Sequence, residues 1–475
     1  MRSRFPRSNR PIAALTAAVV PLLALLTAAA PAPARQTAEP QAPPSRPAET
    51  PPPPGTPGAA PAEPGRYIGV ATCASATCHG STVPLDVNPV LQNEYYTWLQ
   101  QDRHARAYEV LFDERSKIIA HHLRVGAPEK AQVCLDCHAL TPPAGAVAGR
   151  LEIEDGVSCE SCHGPASGWV EGHRSEGWSR SDSVAAGLTD LRDPAVRAEA
   201  CVSCHVGDSD RQVDHAMLAA GHPVLLFELD NYTEAMPPHW APAGAYDDPH
   251  RAREAAAGRG VHAWVLGLVR GLEQRLEIFA HRASTGPRPE PAEFRCDDCH
   301  HSLAEERWRT LHRGRVGGLP VWNDARWRVL RPLVLEAAPE RVDALNLQIG
   351  AISAGAWSSE VAAADAAAWA EDLAADIADV EPALVALSWD DRQIRRRLAY
   401  IADEDQFDYD GAVQTLFAVN TLTAELIARR PELARYGLPE AIDEVDRALQ
   451  TRSGFDRARV EALLGGVANQ VRSLP

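Results

Sequence analysis

The chain has 475 residues, 45% of them hydrophobic, and a formal charge of −17. That length and composition exclude a disordered polypeptide and point to two or three structural units. The acidity excludes a nucleic-acid partner, which needs a basic surface, and suits a basic protein partner met by electrostatic steering.

Residues 1–34 read as a signal peptide. Arg2, Arg4, Arg7 and Arg10 precede an apolar run from Pro11 to Ala30, and Ala32-Pro33-Ala34 matches a small-residue cleavage site. Cleavage implies a periplasmic or otherwise exported protein; left uncut, the same run is long enough to act as a membrane tether. Residues 35–65 contain eleven prolines and form a polyproline-type linker with nothing to pack.

Residues 66–330 form the next expected domain. They hold all ten cysteines and every histidine. The cysteines fall into five pairs, each followed by His: Cys73/Cys78-His79, Cys134/Cys137-His138, Cys159/Cys162-His163, Cys201/Cys204-His205 and Cys296/Cys299-His300. This is the attachment signature of covalent c-type haem (heme c). Two thiols add across the two vinyl groups of one haem, and the next residue presents a neutral imidazole to the iron. Zinc explains neither the odd number of pairs nor the following His. A disulfide within each pair closes a loop too short to stabilise much. Cys73 and Cys78 enclose four residues rather than two, so the haem count is five, or four if these two form a disulfide.

Twelve histidines remain for the second axial positions, against Met217 and Met236 after export. The haems are therefore expected to be mostly bis-His and of low potential. By position, His173, His215, His222 and His239 are expected distal ligands, with His122 in reserve. His215 and His222 are seven apart, so a helix ended by Pro223 would put them on one face. His121, His250, His262, His281, His301 and His312 are background.

Two stretches resemble a known family. Trp98-Leu-Gln-Gln-Asp-Arg-His104-Ala-Arg-Ala resembles the W-x-x-S-x-H-A-x-A signature of cytochrome c-554-like multihaem proteins, with Asp102 in place of its Ser. Gly156-Val-Ser-Cys159-Glu-Ser-Cys162-His163-Gly-Pro resembles the same family's G-V-x-C-E-x-C-H-G-P block. The resemblance covers about 66–330. It implies a mostly helical haem chain and a distal role for His104; its typical members carry four haems.

Residues 331–475 hold no Cys or His and carry 25 acids against 14 arginines. Apolar residues recur at helical spacing in Val361, Ala364, Trp369, Leu373, Ile377 and Val380. Pro382, Pro431 and Pro439 mark expected helix ends, and Trp357, Trp369 and Trp389 are expected in the core.

The expected fold is thus mainly α: a multihaem cytochrome c domain with little regular sheet, then an acidic C-terminal helical bundle. Electron transfer to redox protein partners, basic or membrane-bound, is the function that fits. The alternative is a haem redox enzyme acting on a small nitrogen compound (nitrite, nitric oxide, hydroxylamine) at a five-coordinate iron. No catalytic residue is assigned.

Overall fold

The computed structural model describes residues 65–85, 90–240, 258–286, 288–301, 320–357, 361–406 and 408–475. The expected signal peptide, the expected linker up to residue 64, His250 and His312 lie outside these residues. Among the described residues there is no strand; the sheet-like contacts are isolated bridges, Tyr67 to Val147 and Phe294 to Trp322. No described helix is long and apolar enough to cross a membrane.

The N-terminal part is built of short helices: α1 (Val70–Cys73), α2 (Glu94–Gln101), α3 (Glu114–Leu123), α4 (Gln132–His138), α5 (Cys159–His163), α6 (Arg180–Ala185), α7 (Pro194–His205), α8 (His215–Ala220) and α9 (Leu229–Ala235). Side-chain caps define many of their starts. Ser179 and Asp182 form a capping box at α6, Asp193 accepts from Ala195 N–H ahead of Pro194 at α7, and Asp214 accepts from Met217 N–H at α8. Apolar packing is sparse here. One cluster joins Tyr108, Leu111, Leu135 and Ala139; another joins α7 and α9 through Val202, Phe227 and Leu229.

The C-terminal part is different in kind. Long helices α10 (Arg259–Thr285), α11 (Ala325–Ala337), α12 (Val342–Trp357), α13 (Ala363–Val385), α14 (Asp391–Asp403), α15 (Tyr409–Arg429), α16 (Leu438–Ala448) and α17 (Arg457–Ser473) enclose one hydrophobic core that runs from Val261 to Leu474. That core thus begins well before residue 331. The reason is α10, whose Trp264, Val265, Leu268, Leu272 and Leu276 are buried. Leu373, Ile377 and Val380 face the same core from α13. Pro382 does not end α13 but lies in its last turn. Of the three tryptophans expected inside, Trp389 is buried, whereas Trp357 and Trp369 are more than a third exposed near the helix ends.

The two parts are joined directly. α10 packs on α13 with one face and on α7 and α9 with another. Asn231 of α9 donates to Phe417 O and Thr421 Oγ1 of α15. A buried cluster fixes the chain ahead of the fifth cysteine pair: Arg295 pairs with Asp324 at 2.5 Å and Asp408 at 3.5 Å, and Arg328 pairs with both aspartates.

Glu228 caps α9 by accepting the backbone N–H groups of Asp230 and Asn231, and is 1% exposed. Burial, then the neighbouring Asp230 charge, pushes its carboxyl up to about 7; burial pushes Asp230 up to about 6. A carboxyl whose folded value lies above its unfolded value binds its proton more tightly when folded, so stability falls as pH rises from the unfolded value toward the folded one. The protein should therefore lose on the order of a few kcal/mol from this pair between about pH 4 and pH 7. Thermal melts of the wild type and Glu228→Gln check this: the variant should lose most of that slope.

Candidate haem-attachment site

Each cysteine pair is carried on a turn that ends in its histidine. α4 ends at His138, α5 at His163 and α7 at His205, so a helical turn holds both sulfurs and the ring on one side. The first pair reaches the same result with a longer loop. His79 N–H donates to Cys73 O at 3.1 Å, and Gly80 N–H donates to Ser75 O at 2.9 Å. A Cβ on Gly80 would lie 1.9 Å from Ala74 O, so only glycine permits this close return. The ten cysteines are free of disulfides, Cys73 and Cys78 included.

Four of the five motif histidines have a second histidine ring beside them. Ring centroids of His79 and His173 are 6.3 Å apart, of His163 and His239 6.5 Å, of His104 and His205 5.9 Å, and of His215 and His300 6.1 Å. His222 lies close enough to His138 for their charges to repel. These ring separations exceed direct stacking contact. A metal–imidazole bond is about 2 Å, and a nitrogen is about 1 Å from its ring centre, so two rings on one iron are about 6 Å apart. The residues present fit a bis-His iron.

The second ring nitrogen is occupied in a way that leaves the first for a metal. Nδ1 of His138 meets Ala107 O at 2.8 Å, that of His173 meets Val170 O at 2.6 Å, that of His222 meets Pro223 O at 2.8 Å and that of His239 meets Pro237 O at 3.4 Å. His79 and His104 use carboxylates instead, Glu94 at 3.0 Å and Asp102 at 2.9 Å. Such partners fix the tautomer and aim Nε2. Burial pushes His163 and His205 down to about 4, which keeps them in the neutral, ligating form. Burial also pushes the Cys162 thiol up to about 12 and Cys201 up to about 11.

The expected helix through His215 and His222 is shorter than the spacing suggested. Gly221 takes φ +113° and caps α8 after Ala220, so His222 lies beyond it. The two histidines consequently stand near different motifs, His215 facing His300 and His222 in the neighbourhood of His138. His121 and His122 are exposed on α3 and face each other rather than a motif.

Sequence reasoning missed three supporting carboxylates. Glu160, inside the third motif, is 3% exposed and accepts from the N–H groups of Ile68, Gly69 and Ala166, tying the start of the domain to α5. Glu94 and Asp102 bond the rings of His79 and His104. Asp102 carried a signal, its departure from the family signature; Glu94 carried none.

The motifs also lie against one another. Cys73 and Cys159 lie near enough to perturb each other's titration, as do Cys137 and Cys204, while Cys162 feels Cys201 and Cys204. This strings the first four motifs in the order one, three, four, two. α8, with His222 just past one end and His215 at the other, leads on to the fifth.

Paired thiols on helical turns, each with its own imidazole, define a c-type cytochrome. Residues 72–164 match the family described as cytochrome c554 and c-prime, the resemblance expected from the Trp98 and Gly156 blocks. The match spans the first three attachment motifs and ends before the fourth and fifth. No curated protein and no solved structure matches the chain.

Proposed function

We propose that this is an exported pentahaem c-type cytochrome that passes electrons between protein partners. The observation that carries the reading is the second histidine beside four of the five motif histidines, at ring separations of 5.9–6.5 Å. Bound haem c supplies reversible one-electron chemistry. The chain's own residues do the rest: Cys73/Cys78, Cys134/Cys137, Cys159/Cys162, Cys201/Cys204 and Cys296/Cys299 attach; His79, His138, His163, His205 and His300 ligate on one side, and His173, His222, His239, His104 and His215, in that order, on the other.

The close succession of motifs favours transfer along the chain, and the acidic surface favours a basic partner. The enzyme reading needs an iron with one open position. A histidine ring stands beside four of the five motif histidines, with His222 near the fifth, which favours the electron-transfer reading.

Intact mass and low-temperature EPR of the mature protein test this. Five haem masses with low-spin signals alone are expected. A high-spin signal would turn attention to nitrite, nitric oxide and hydroxylamine. Four haems would return Cys73 and Cys78 to a disulfide, and none would overturn the reading.

A further inference from the structure

Two of the ten ligand histidines differ from the others in what holds them. Where Nδ1 of His138, His173, His222 and His239 meets a backbone carbonyl, a dipole, Nδ1 of His79 and His104 meets a full negative charge. A carboxylate that accepts the imidazole proton makes the other nitrogen a stronger donor to the metal. Its field also favours the iron state with one more positive charge, and this acts strongly only where water is excluded.

Asp102 meets that condition. It is 3% exposed, and it is held by two donors from His104, the backbone N–H at 3.0 Å and the ring at 2.9 Å. Beyond His104, it lies near His239 and Cys162, both of the third site. Its charge therefore stands between the third and fourth sites. Glu94 is less buried, with its side chain 15% exposed.

We infer that Asp102, bonded to His104 between the third and fourth sites, makes the iron shared by His104 and His205 the hardest of the five to reduce, and that Glu94 acts in the same sense on the iron shared by His79 and His173. Both are positioning residues: they touch the ligand, not the iron. The inference rests on the five-haem reading proposed above.

The test compares full-length mature wild type, Asp102→Asn and Glu94→Gln. Haem count by intact mass comes first, then a spectroelectrochemical titration resolving the one-electron steps. With five haems retained, Asp102→Asn should move the lowest-potential step upward by at least about tenfold in its equilibrium constant, which is about 59 mV for one electron. Glu94→Gln should move a different step. An unchanged titration with five haems present overturns this inference and leaves the five-haem reading intact. Fewer than five haems in the wild type overturns that reading instead. Should Asp102→Asn fail to load haem, Asp102→Ser, which places the residue of the family signature there, carries the same comparison.

Discussion

Protein made without haem attachment is expected to keep its C-terminal helices and lose its N-terminal half. Ordering a residue costs about 1–2 kcal/mol of backbone entropy, which buried apolar surface must offset. From Val261 onward that offset is available in one continuous core. Before it, the described apolar clusters are small: Tyr108, Leu111, Leu135 and Ala139 in one, and in the other five residues around Val202 and Phe227 that pack on Ala263 and Ile278 of α10. Attached haems would supply the missing apolar mass. Replacing all ten cysteines with serine, then digesting briefly with a protease, should leave a resistant fragment that starts close to Gly258. A resistant N-terminal half would mean that its caps and ion pairs suffice alone.

The second large effect is expected from His239→Ala. His239 faces His163 at 6.5 Å, and its own Nδ1 is tied to Pro237 O. Alanine removes the second ligand and leaves a space that no other described histidine fills. About one iron in five should become high-spin by EPR and bind carbon monoxide when reduced. His122→Ala, on an exposed face of α3, should change neither property. If His239→Ala stays fully low-spin, the ligand opposite His163 is another residue.

Much of the site was legible because its chemistry is local. A Cys-x-x-Cys-His turn announces itself within five residues, and histidines so outnumbered methionines that the second ligands could be narrowed to a few. Which ligand belongs to which motif was not legible. Partners lie between 76 residues apart (His163 and His239) and 101 apart (His104 and His205), and only tertiary folding joins them. The α8 boundary failed for a local reason: the left-handed cap at Gly221 outranked the stop expected at Pro223. The bundle's extent was hidden because α10 precedes the fifth motif in sequence while its apolar face belongs to the later helices.

The pairing also crosses over along the chain. Motifs one, two and three face histidines that come later, His173, His222 and His239; motifs four and five face histidines that come earlier, His104 and His215. Such a wiring has no internal seam. A cut anywhere from His79 to His300 separates at least one pair, so the domain does not break into single-haem modules that could be shuffled, duplicated or trimmed one at a time. A lineage shortening or extending it would have to do so outside that interval, and a partially synthesised chain holds no finished pair before His173 emerges.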